Sequence, residues 1–242
     1  MILKWSNRFV IKSILKTWLL PWRAYLAEFL GTFVFVFISA GAVLANIFYG
    51  DIGTIGIAFT TGLTISAMMF AAAQFSGGHF NPAITLALWL VQKIKGGQAV
   101  FYVIFQLLAS FAAAGFLFWL FGASAREFSL GGPVLGAGVN TQTAVIIEAV
   151  LTAILVFVYL GTMVGRNGPV SFGPLTVGMV YTISVFFAGS LTGGAINPAR
   201  VLGPLVISES YTNLAIWIIG PATGSIFAVI YDFLFLRRVK KG

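Results

Sequence analysis

Thr192-Gly193-Gly194-Ala195-Ile196-Asn197-Pro198-Ala199-Arg200 is a polar, glycine-rich break in an oily stretch, and Val201-Leu202-Gly203-Pro204-Leu205-Val206 follows it. Asn197 suits the N-cap of a helix, and Pro198 stands where the first helical turn tolerates proline. Gly203-Pro204 and the polar Ser208-Glu209-Ser210 keep that helix short. A second copy lies upstream as Ser76-Gly77-Gly78-His79-Phe80-Asn81-Pro82-Ala83-Ile84. From Asn81 to Val91 the chain spans about 16 Å as helix, half of a hydrocarbon core about 30 Å thick. Each motif therefore predicts a helix that goes halfway into a membrane.

Composition puts the chain in that membrane. Charged residues make up 8% of the 242 and hydrophobic ones 59%, against roughly a quarter charged in soluble domains. Mean hydropathy is +1.00, and several apolar runs reach the roughly 20 residues a helix needs to cross a bilayer. The expected class is an all-α, multi-spanning membrane protein. There are no cysteines and the one histidine is His79, so neither disulfides nor a cysteine- or histidine-based metal site is expected, and no cofactor. Nor does the net charge of +8 argue for nucleic acid, because its distribution follows membrane topology.

Spans are expected near 23–46, 52–74, 98–121, 143–165, 173–191 and 211–236, with the motifs between the second and third and between the fifth and sixth. Ahead of them, Lys4, Arg8, Lys12 and Lys16 recur at helical spacing among Trp5, Phe9, Ile14 and Trp18. This predicts a basic amphipathic segment over 1–22 lying in the headgroup layer. The remaining divisions are 23–122, a first three-span unit, a connection at 123–142, a second unit at 143–236, and a basic tail at 237–242.

Six spans put both termini on one side. Lys4, Arg8, Lys12, Lys16, Arg23, Lys93, Lys95, Arg166, Arg237, Arg238, Lys240 and Lys241 all fall there, while Arg126 lies opposite and Arg200 within the second half-span. The positive-inside rule then makes the termini cytoplasmic in a cell membrane. The halves also repeat: Glu28 precedes Glu148 by 120 residues, and the motif asparagines are 116 apart. An odd number of spans per half inverts the second copy relative to the first. The two half-spans then enter from opposite faces and meet near the midplane.

That meeting point has a defined chemistry. Irregular backbone at membrane depth must be buried in protein or line a water-filled cavity. Asn81 and Asn197 offer amide donors to a passing water or hydroxyl. Each helix N-terminus brings about half a positive charge, and Arg200 adds a full one, so cations and protons are repelled while small neutral molecules pass. Arg200 could alternatively sit in a structural ion pair, although no acidic residue neighbours it in sequence.

The doubled Asn81-Pro82-Ala83 and Asn197-Pro198-Ala199, with Arg200 after the second, resembles the aquaporin, or major intrinsic protein, family over residues 25–236. That resemblance implies six transmembrane helices, two re-entrant half-helices, one pore per subunit and a homotetramer in lipid. It also implies that Glu28 and Glu148 are buried and bond the re-entrant backbone, and that His79 packs and hydrogen-bonds. By counting back from the motifs, the family's constriction maps to Thr61, Val185, Gly194 and Arg200. Strict water channels of the family carry an aromatic and a histidine at the first two of these positions. Their absence predicts a wider passage for water and small uncharged solutes such as glycerol, urea, ammonia or hydrogen peroxide. A dedicated glycerol channel is the second reading, weakened by Val201 where such members carry Asp. An ion-coupled transporter would need more ionisable groups in the pathway, a non-conducting structural role is also compatible with the fold, and an enzyme lacks a nucleophile–base pair.

Overall fold

The computed structural model describes residues 21–50, 52–165 and 172–236. The expected interfacial helix over 1–22, Arg166 and the basic tail at 237–242 lie outside the described residues, save Pro21 and Trp22. Among the described residues all regular structure is helical. Helix α1 (Trp22–Tyr49) is followed by α2 (Gly53–Ser76), the half-helix α3 (Pro82–Leu90) and α4 (Gly96–Phe121). After a 3-10 segment at Ala123–Gly131 come α5 (Thr141–Tyr159), continued by a π-helical turn at Leu160–Val164, and α6 (Gly173–Ala188). The half-helix α7 (Pro198–Ile207) precedes α8 (Ile216–Ser225), α9 (Phe227–Tyr231) and a last π-helical turn at Asp232–Leu236.

Lengths match the sequence pattern. The stretches 22–49, 53–76, 96–121, 141–164 and 216–236 are each long and apolar enough to cross a membrane, and α6 is described over 16 residues. The half-helices have 9 and 10 residues, about 14 and 15 Å at 1.5 Å per residue. Among the described residues there are thus five helices of membrane-crossing length, a sixth, shorter apolar helix in α6, and two half-helices, the arrangement of a six-span fold with two broken arms.

Polarity is distributed inside out. Glu28, Glu148, Asn81, Asn197 and Gln106 are all fully buried at 0% exposure, whereas Trp119 is 78% exposed and Phe233 67%. An apolar exterior around a polar axis is what hydrocarbon solvent selects.

Packing follows the repeat. Helix α1 lies on α2 and α4, α5 on α6 and α8, and α2 on α6 across the junction of the halves. Each half-helix packs on the last full helix of the other half, α7 on α4 and α3 on α8 with α9. The α2–α6 crossing is close because it is made by glycines. A Cβ on Gly62 would overlap the Gly178 carbonyl and the Thr182 side chain, and one on Gly178 would overlap the Gly62 carbonyl and Ser66. Small residues let membrane helices approach in this way, where no hydrophobic force from water drives them together.

Two boundaries depart from the sequence reading. The last helix starts at Ile216 instead of near Tyr211, because Asn213 adopts φ +64° and interrupts the helical path. Helix α6 ends at Ala188 instead of Leu191. There the chain leaves the axis as Thr192 donates to Glu148 at 2.7 Å.

Candidate functional site

Asn81 and Asn197 build the centre of the molecule by dividing their side chains between two tasks. The Asn81 Oδ1 accepts from the Ala83 N–H at 2.8 Å, and the Asn197 Oδ1 from the Ala199 N–H at 2.9 Å. Both residues are extended N-caps with proline next in the helix, so the oxygen is committed to the cap. Each amide nitrogen is turned toward the opposite half. Asn81 Nδ2 donates to the Ile196 carbonyl at 2.8 Å, and Asn197 Nδ2 to the Phe80 carbonyl at 2.9 Å. The two half-helix N-termini are thereby tied tip to tip.

Reaching that geometry bends the backbone. Phe80 has φ +46° and Ile196 φ +45°, a left-handed conformation that is rare for side chains of this bulk. The carboxyl groups hold it. Glu28 accepts from the His79 and Phe80 N–H groups at 3.0 and 2.7 Å. Glu148 accepts from Ala195 and Ile196 at 3.1 and 2.7 Å. Gln106 adds a donor to Glu28 at 2.7 Å, and Thr192 one to Glu148. Bonds to a carboxylate contribute about 1.5–3 kcal/mol each, enough in pairs to offset the roughly 1–3 kcal/mol of one strained residue. Serines from the opposite halves complete the support: Ser225 donates to the Ala83 carbonyl at 2.8 Å, and Ser110 to that of Ala199. Sequence reasoning missed Gln106, Ser110 and Ser225, whose partners are up to 142 residues away.

Thr61, Val185, Gly194 and Arg200 come from four separate stretches and border a single cavity of about 340 Å³. Gly194 needs φ +57° there, and a Cβ on it would overlap the Ser184 carbonyl. The Arg200 Nη2 donates to the Gly131 carbonyl at 2.8 Å, while its Nη1 is buried with no partner. Arg200 has no carboxylate at ion-pair distance among the described residues; Arg126 and Glu209 pair at 3.1 Å on the surface. Gly131, in the loop after α4, gave no sequence signal. Phe35 supplies an aromatic wall to the same cavity from α1.

A second cavity of about 660 Å³ is bordered by His79, Gly77, Lys93 and Tyr159. The cavities lie at opposite ends of α2: Thr54 and Ile57 border the first, Ala73 and Gln74 the second. His79 is buried at the floor, its Nδ1 3.0 Å from the Thr85 hydroxyl and its ring edge-on to Tyr102.

Tyr181 was not anticipated. Its hydroxyl accepts from Asn81 Nδ2 at 2.8 Å and from Asn197 Nδ2 at 3.4 Å. The available signal was its spacing: Tyr181 precedes Val185 by one helical turn and so shares its face of α6. The expectation that both amides are free for a passing molecule is accordingly modified. An amide has two N–H donors, and those of Asn81 go to Ile196 and Tyr181.

Comparison with known proteins places the chain in a family. The family model described as Major intrinsic protein matches residues 15–231. "Probable aquaporin NIP-type" from Nicotiana alata is 33% identical over 210 residues, covering 86% of this chain and 76% of its own. "Glycerol uptake facilitator protein-like 6" from Lactiplantibacillus plantarum is 35% identical over 208 residues, covering 85% and 94%. Among solved structures, the aquaglyceroporin from Plasmodium falciparum superposes with a TM-score of 0.76 at 25% identity, covering 88% of this chain and 96% of that one. The chain belongs to the major intrinsic protein family.

Proposed function

We propose that the protein is a passive channel for water and small uncharged solutes that excludes protons and ions, with Thr61, Val185, Gly194 and Arg200 as its selectivity filter. The observation that carries the reading is the first cavity, which Thr61, Val185, Gly194 and Arg200 border together. A neutral solute passes a cavity bordered by a fixed positive charge without electrostatic cost. A cation meets a fixed positive charge and the positive ends of two half-helices, in a setting too dry to screen them. Asn81 and Asn197, with Pro198 and Pro82 fixing their caps and Ala83 and Ala199 anchored by serines, form the second checkpoint.

Water with broad small-solute permeability is the first reading. A dedicated glycerol channel is the second, favoured by the name of the Lactiplantibacillus relative and the aquaglyceroporin fold match and opposed by Val201. The second cavity, bordered by Lys93, is the cytoplasmic vestibule in this reading, with the protein in a cell membrane as a homotetramer. Stopped-flow light scattering of proteoliposomes under sucrose and then glycerol gradients tests the function. Permeability above that of lipid alone, independent of any pH gradient, is the expected result. Uptake that requires a proton gradient would make it a transporter.

A further inference from the structure

Three of the four filter positions, Thr61, Val185 and Gly194, hold small side chains, yet the pathway is narrow elsewhere. Neither cavity is bordered by Asn81, Asn197 or Tyr181. Between the cavities the Tyr181 ring is 2% exposed and packs edge-on against Phe35, which is 0% exposed, with ring centroids 5.1 Å apart at 69°. Its hydroxyl oxygen takes one amide hydrogen from each half of the repeat. That is the place where a permeating oxygen would have to accept the same bonds. Asn81 and Asn197 spend further hydrogen bonds on the opposing half-helix carbonyls, so the pair offers a passing solute little until the phenol leaves.

We propose that Tyr181 is the residue that closes the pore at the asparagine pair, by a hydroxyl that a permeant must displace. This deepens the channel reading and rests on it. The consequence is chemical as well as steric. A solute crosses by replacing one oxygen acceptor with another on the two amides, so water and small hydroxyl- or carbonyl-bearing molecules qualify. Phe35 is the wall against which the ring closes, and the small filter residues only admit solutes to this point.

Three versions of the full-length chain in liposomes test the proposal: wild type, Tyr181→Val and Tyr181→Phe. Water and glycerol flux is measured by light scattering and normalised to the protein inserted. Tyr181→Val removes both ring and hydroxyl and is expected to raise flux per channel about tenfold, the effect of abolishing two modest hydrogen bonds. Tyr181→Phe keeps the ring without its polar anchor and is expected to fall between the other two. Flux in Tyr181→Val at or below wild type, with the same thermal unfolding in detergent, overturns the proposal. Should Tyr181→Val unfold, Tyr181→Phe decides alone: a raised flux supports the closure, an unchanged or lowered one refutes it. A conducting wild type with unchanged variants sinks the closure and leaves the channel standing. All three at the rate of bare lipid would sink both.

Discussion

Asn197 serves three groups with one side chain: its own helix through Oδ1, Phe80 of the other half through Nδ2, and the Tyr181 hydroxyl. Such sharing makes the site sensitive to single atoms. In Glu148→Gln an NH2 replaces one acceptor oxygen and must face the Ala195 or Ile196 N–H, so the second re-entrant arm loses a charged bond and gains a clash. The expected cost is about 2–3 kcal/mol of stability, visible as a lower unfolding temperature in detergent; an unchanged temperature would mean the carboxyl is dispensable. Arg200→Val removes the fixed charge at the cavity, and the expected outcome is a measurable cation or proton leak in dye-loaded liposomes. No leak would move ion exclusion to the half-helix tips. The paired motifs and the glutamates 120 residues apart were legible because the repeat prints each of them twice. Tyr181 and Gly131 were not, since neither has a counterpart motif and their roles come from contacts 100 and 69 residues away.

At the scale of elements, length and caps carried most of the information. An asparagine cap and a proline at the first turn specify where each half-helix begins, whereas Gly203-Pro204 does not end the second one, which runs through both residues to Ile207 and stops at Ser208. The sequence pattern begins the last helix near Tyr211, whereas a φ of +64° at Asn213 puts a turn ahead of Ile216. The α2–α6 crossing was equally hidden, although Gly62 and Gly178 were in plain view. Gly178→Val would push α2 away from α6, costing about 1–3 kcal/mol as overpacking does, and would displace Thr61 relative to Val185. Reduced thermal stability together with altered flux checks this; an unaltered protein would mean the helices do not touch there. The double change Thr61→Phe with Val185→His adds bulk to facing elements of the first cavity. Glycerol flux is expected to fall more than water flux, and equal loss of both would place the size limit elsewhere, as at Tyr181.

For the whole molecule, the inverted repeat explains how one pathway is made from two arms. Each half-helix is held by a carboxyl group of its own half and a serine of the other, so neither half completes its arm alone. Hydrocarbon outside and hydrogen-bonded polar groups inside are the two conditions under which such broken helices persist in a bilayer. The central claim is that neutral solutes cross along this axis without protons. It is tested most directly by recording volume and internal pH together in liposomes carrying the full-length protein under an osmotic gradient. The account predicts shrinkage faster than that of protein-free liposomes with internal pH drifting no faster than in those controls. Shrinkage at the bare-lipid rate, or a pH change that tracks the volume change, would contradict it.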